Sequence, residues 1–136
     1  MPGDNQKRKR EQKPLYQRLG GYDVIAAIAD DVLARFREDS RFTRFGMGRS
    51  ADSRQRARQL LVDQICALAG GPCFYTGRDM KTAHGGLAIT ETEWDISMQH
   101  TEAALEKLQI VEPERAEFLS LIARYKGDIM HPPEGG

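Results

Sequence analysis

Cysteine is scarce in this sequence: Cys66 and Cys73 are the only two in 136 residues, too few for the disulfide framework of small secreted domains. They can pair only if their Cα atoms come within about 7 Å; two free thiols are expected, with a local disulfide as the alternative. Long apolar runs are missing as well. None approaches the roughly 18 residues that cross a bilayer, and the charged beginning lacks the hydrophobic segment of a secretion signal, so a cytoplasmic location is expected. Net charge is absent: 20 Lys and Arg balance 20 Asp and Glu, which removes any general attraction to nucleic acid or a membrane surface. No stretch alternates apolar and polar residues like a half-buried strand. What remains is all-α, at a length that suits one domain burying about two thirds of its unfolded surface.

The apolar residues that are present recur at helical spacing. Residues 1–13 hold Lys7, Arg8, Lys9, Arg10 and Lys13 without apolar periodicity and read as a disordered basic extension. Without aromatic partners this is a solvated tail rather than a nucleic-acid arm. A domain follows over 14–130, and 131–136 read as a frayed tail. Pro14 to Leu19 makes a short helix closed by Gly20 and Gly21. Tyr22 to about Arg37 places Ile25, Ile28, Val32 and Phe36 on one stripe. The period is then lost to Phe45, and Gly46-Met47-Gly48 marks a turn. Ser50 or Asp52 caps a helix over about Ser53 to Ala69, with Ala57, Leu60, Leu61, Ile65 and Leu68 on one face and Arg54, Arg56 and Arg58 towards water. Thr90 and Glu93 form a capping box. The helix behind it aligns Trp94, Met98, Thr101, Leu105 and Leu108, with His100 off the stripe and ordinary. Pro113 opens one last helix with Phe118, Leu121, Ile122, Tyr125 and Ile129 inward.

Between the third and fourth helical patterns lies the run Gly70 to Thr90, with a single histidine, His84. No cysteine or second histidine stands near it at zinc spacing, and His100 and His131 are far along the chain. One imidazole among apolar helices suits a metal whose other ligands come from a cofactor. Haem is the obvious case, since the porphyrin fills four positions and the protein need supply only a proximal histidine. With no Cys-x-x-Cys-His in the chain, such a haem is held without thioether bonds.

From Leu15 to Leu108 the sequence resembles the truncated, two-over-two haemoglobins, in particular their first group. The resemblance rests on Leu15-Tyr16-Gln17-Arg18-Leu19-Gly20-Gly21, Gly70-Gly71-Pro72, Tyr75-Thr76-Gly77-Arg78 and Met80-Lys81-Thr82-Ala83-His84, in that order. It implies a two-over-two helical sandwich around haem b, with His84 on the iron. Phe45 is expected against the haem after the second helix, with Phe42 the alternative. Met80 is expected at the porphyrin edge, its backbone carbonyl accepting from the other imidazole nitrogen; Tyr75, Arg78 and Lys81 are expected near the propionates, and Ile89 and Trp94 in contact with the ring.

On the ligand side the resemblance puts Leu33 where the best-known relatives carry a tyrosine, and Ala57, Leu60 and Leu61 on the roof where they carry glutamines; Ile65, on the same helix face, is expected against the cofactor. Gln64 and Ser97 are the possible remaining donors. The resemblance thus implies reversible binding of a diatomic gas (O2, CO or NO) in an apolar distal pocket, serving storage, transport or sensing. The alternatives are a nitric oxide dioxygenase served by a separate reductase, and a cofactor-free helical module. Peroxidase-like chemistry has no dedicated acid–base group in the pocket.

Overall fold

The computed structural model describes residues 13–45, 50–77 and 89–130, the side chains of 43–45 excepted. Residues 1–12, 46–49, 78–88 and 131–136 lie outside this set. So do the expected basic extension, the turn at Gly46-Met47-Gly48, the terminal tail, and the expectations for Arg78, Met80, Lys81, His84 and the Phe45 side chain. Among the described residues there is no strand. The elements are α1 (Leu15–Leu19), α2 (Tyr22–Glu38), a 3-10 turn (Ser40–Phe45), α3 (Ala51–Leu68), α4 (Glu91–Lys107), α5 (Glu114–Ala123) and α6 (Lys126–Met130).

Local chemistry sets most of these boundaries. Ser50 caps α3 by accepting from the Ser53 amide at 3.0 Å. Thr90 and Glu93 close the expected box on α4, Thr90 accepting from the Glu93 amide at 3.0 Å and Glu93 from the Thr90 amide at 2.9 Å. The glycine pairs end α1 and α3 in the same way. Gly20 and Gly70 are left-handed (φ 118° and 85°). The amides of Gly20 and Gly21 return to Gln17 and Tyr16, and those of Gly70 and Gly71 to Ala67 and Cys66. A methyl group at Gly20 would meet Val24 at 2.8 Å, and one at Gly70 would meet Pro14 at 2.9 Å, so both positions require glycine twice over.

α2 is the central element, packing against α1, α3 and α4, while α4 also contacts α5 and α6. Ile25, Ile28 and Ala29 of α2 meet Val62 and Cys66 of α3, Ala104 and Leu105 of α4 and Phe118 of α5 in one core. α1 is fastened at two points. The Tyr16 amide bonds the Ala69 carbonyl at 2.8 Å, and the Arg18 guanidinium donates to both carboxylate oxygens of Glu117 at 2.7 Å, drawing α1 onto α5.

Two expectations are corrected, the free thiols and the single last helix. Cys66 and Cys73 are joined as a disulfide, their Cα atoms 5.8 Å apart, because the reversal at Gly70 folds the chain back over the last turn of α3. The segment after α2, where the apolar period is lost, is a continuous 3-10 turn. The last helix is two, α5 and α6, divided where the Tyr125 amide bonds the Ile122 carbonyl in a tightened turn.

Candidate functional site

A cavity of about 910 Å³ lies among α2, α3, α4 and the two last helices. The apolar stripe of α2 contributes Ile28, Val32, Leu33 and Phe36 to its wall, and α3 contributes Ala57, Leu61, Ile65 and Leu68. Trp94 and Met98 come from α4, with Ile89 just before it, and Ile122, Tyr125 and Ile129 close the far side. Close-packed interiors hold few voids larger than a water molecule, and this volume falls at the upper end of the roughly 300–1,000 Å³ usual for ligand sites.

Several of the polar groups in the wall are committed to partners within the chain. Ser97, a possible donor on sequence grounds, gives its hydroxyl to the Trp94 carbonyl at 2.7 Å. Thr101 gives its own to the Ser97 carbonyl at 2.9 Å. Gln64 faces the cavity from α3, and no group among the described residues bonds its amide. Cations gather at the rim, where Arg37 and Arg54 are exposed. Arg58, expected in water, is half-buried and bonds Asp30 through two nitrogens at 2.8 and 3.0 Å; these bonds hold the Asp30 carboxyl below its ordinary range.

The inner corner is built from rings. Phe36 and Phe42 stack with centroids 5.0 Å apart, and His100 meets both edge-on at 5.6 and 5.9 Å. His100 is not the ordinary surface residue its position off the stripe suggests, since its Nε2 lies 2.8 Å from Asp39 Oδ2. Asp39 also accepts from the Arg41 guanidinium at 2.7 and 2.8 Å and from the Arg41 amide at 3.0 Å. Arg41 foremost, and His100 with it, hold the Asp39 carboxyl far below the usual carboxylate range. This clasp joins the end of α2 to the middle of α4 and fixes Phe42 against the cavity.

Of the residues singled out from sequence, Leu33, Ala57, Leu61, Ile65, Ile89 and Trp94 come together on this wall. Phe42, the alternative to Phe45, lines it as well. Leu60 does not. Tyr75 is half-buried with its ring against Gly77, and it is not among the described residues that line the cavity. The pairing of Asp39 with His100 spans 61 positions, and no local pattern announces it. Met98, Ile122, Tyr125 and Ile129 are legible in the sequence as inward-facing, but not as cavity wall.

The family described as bacterial-like globin matches residues 14–131. The group 1 truncated haemoglobin GlbN of Mycolicibacterium paratuberculosis is 29% identical over 116 residues, covering 85% of this chain and 83% of its own. Among solved structures, the truncated haemoglobin of Tetrahymena pyriformis in its Fe(III) form superimposes with a TM-score of 0.78 at 23% identity, over 87% of this chain and 98% of its own. The haemoglobin of Chloroflexus aurantiacus gives 0.75 at 23% identity, over 88% and 98% respectively. These likenesses share the helical arrangement that encloses the cavity.

Proposed function

We propose, since this chain belongs to the bacterial-like globin family as a truncated haemoglobin, that it holds haem b through His84 and reversibly binds a diatomic gas. The observation that carries this reading is the cavity of about 910 Å³ with an apolar wall and an arginine rim. Such a space fits a flat, greasy macrocycle with two carboxylates at one edge. Leu33, Phe42, Ile65, Ile89, Trp94 and Met98 would hold the ring by apolar contact, each large side chain contributing about 1.5–3 kcal/mol when fully buried. Arg37 and Arg54, together with Arg78 and Lys81, are the cations for the anionic edge. When bound, the iron supplies a coordination position for the gas.

The residues of this chain then govern what stays there. Leu33, Ala57, Leu61 and Ile65 exclude water and donate no hydrogen bond, while the Gln64 amide, on the same helix as Ala57, Leu61 and Ile65, is one uncommitted donor on the described wall. Oxygen gains more from a donor than carbon monoxide or nitric oxide, because more negative charge develops on it. The wall therefore favours CO and NO over O2 more than a tyrosine-bearing wall does, and speeds autoxidation. Gln64 also keeps open a second reading, nitric oxide dioxygenation, which needs retained oxygen and a separate reductase. Storage or sensing of the gas in the cytoplasm needs neither.

Absorption spectra of the purified protein test the reading: ferric, dithionite-reduced, then under oxygen and carbon monoxide. A Soret band that shifts with CO, and its loss in His84→Ala, are the expected results. No Soret band after addition of haem would overturn the proposal in favour of a cofactor-free helical module. An oxygen dissociation rate as slow as that of tyrosine-bearing relatives would overturn the account of the distal wall.

A further inference from the structure

The bridge between Cys66 and Cys73 takes no part in holding a cofactor or a gas, yet it sits directly behind the cavity wall. Cys66 is fully buried on α3, next to Ile65 and two positions from both Gln64 and Leu68, all three of which line the cavity. Cys73 is half-buried on residues 70–77, where Pro72, Phe74 and Thr76 are exposed, Phe74 to 86%. Gly71 lies between the two cysteines, its amide bonding the Cys66 carbonyl at 2.8 Å. It is wedged so tightly that a methyl group there would stand 2.7 Å from the Cys66 sulfur. One covalent bond thus ties an exposed stretch of chain to the last turn of the roof helix. Exposed stretches make poor anchors by themselves, since they bury little apolar surface and open locally.

We propose that Cys66–Cys73 is a thiol–disulfide exchange site for a dithiol, and that its state sets how firmly the end of α3 holds Gln64, Ile65 and Leu68 on the cavity wall. The bond is attacked from the Cys73 side, because that residue is the accessible one. A thiolate of the reductant bonds to the Cys73 sulfur, the disulfide breaks, and Cys66 leaves and takes a proton. The second thiol of the reductant then attacks the mixed disulfide, releasing Cys73 as a thiol and leaving the reductant oxidised with its own internal disulfide. Two electrons and two protons pass to the protein, and an oxidised dithiol reverses the reaction.

The buried position of Cys66 selects the reagent. Apolar surroundings oppose the thiolate and make Cys66 a poor leaving group. A monothiol adduct on Cys73 stays within reach of Cys66, held beside it with Cα atoms 5.8 Å apart, so Cys66 returns through its thiolate and expels the monothiol, whereas a dithiol resolves the adduct and drives reduction to completion. In a reducing compartment a bridge of this kind belongs to the transient, redox-sensing class rather than the structural one.

The test uses the full-length haem-loaded protein with dithiothreitol as the dithiol and glutathione as the monothiol, at equal thiol concentration. Alkylation and mass spectrometry count free cysteines, amide hydrogen exchange reads residues 66–77, and flash photolysis reads CO recombination. Dithiothreitol should free both cysteines while glutathione leaves the bridge mostly closed. Exchange of the Gly70 and Gly71 amides, both hydrogen-bonded to the end of α3, should rise roughly fifty-fold, the factor by which a cross-link of sequence separation 7 restricts an open chain. CO recombination should change at least twofold, and Cys73→Ser should match the reduced protein without reductant. Equal reduction by both reagents, or unchanged exchange and CO kinetics once both thiols are free, would overturn the proposal. Only the CO measurement depends on the haem reading, so in a protein that takes up no haem, thiol counting and hydrogen exchange still decide whether the bridge exchanges and what it restrains.

Discussion

At Gln64 an amide without a partner among the described residues faces a wall of leucine, isoleucine and aromatic side chains. A hydrogen bond from this amide to a charge-bearing ligand is worth about 1.5 kcal/mol, and its loss raises the dissociation rate roughly tenfold. Gln64→Leu should therefore release oxygen about ten times faster by stopped flow, with CO dissociation changed much less. An unchanged oxygen rate would mean that the donor lies elsewhere. Gly71 presents the opposite condition, a space already full. A methyl group there enters the Tyr16 ring and the Cys66 sulfur, so Gly71→Ala should destabilise the protein by about 1–3 kcal/mol in chemical denaturation. The roles of these two residues are unequally visible in the sequence. Gly71 belongs to a recognisable helix-ending pair, whereas the direction of the Gln64 side chain depends on the rotation of α3, which apolar spacing fixes only to within a residue or so.

Helix ends and helix contacts carry different kinds of information. The capping box on α4 involves residues three apart in sequence, so it can be read directly and is found as expected. Thr90→Ala removes one half of it and should cost about 1 kcal/mol, lowering the thermal midpoint by roughly 3–5 °C at this chain length. The fastening of α1 to α5 has no such local signature. Arg18 and Glu117 are 99 positions apart, and the Arg18 side chain is only 8% exposed while that of Glu117 is 44% exposed. Arg18→Ala should cost about 1–3 kcal/mol, because Glu117 is solvated but Glu114, 3.7 Å from the guanidinium with its side chain 10% exposed, loses this cation as well. Frayed α1 amides in hydrogen exchange would accompany it. A loss within error of zero would show that the Tyr16–Ala69 hydrogen bond and the Leu15 and Leu19 burial hold α1 unaided.

Over the whole molecule, the ion pairs define an acid limit. Asp39, Asp30 and Glu117 all have carboxyls held below their ordinary range, by Arg41 with His100, by Arg58 and by Arg18 respectively. A carboxyl whose folded value is depressed binds fewer protons folded than unfolded. Its stabilisation is therefore complete above the unfolded value near pH 4 and drains away as the pH falls towards the folded one. Denaturant midpoints should be flat above about pH 5 and fall progressively below pH 4, and Arg41→Ala should make the acid slope shallower. Equal midpoints at pH 3 and pH 7 would contradict the coupling. Because Asp39 clamps the corner that carries Phe42, the cavity should loosen over the same interval, seen as loss of the Soret band before global unfolding.

Much of this protein was determined by short-range pattern. Periodic apolar residues set the helices, the glycine pairs and the Ser50 and Thr90 caps set their ends, and the same stripes supplied Leu33, Ala57, Leu61, Ile65 and Trp94 to a common wall. Such features depend on residues within one or two turns of each other, whose geometry the backbone dictates. Tertiary structure decided what depends on distances between elements. It brought Asp39 to His100, Arg58 to Asp30 and Arg18 to Glu117, left Leu60 off the wall, and closed Cys66 onto Cys73. In each case the contact follows from how helices cross and where a reversal such as Gly70 sends the chain, and these are set by packing the whole core at once.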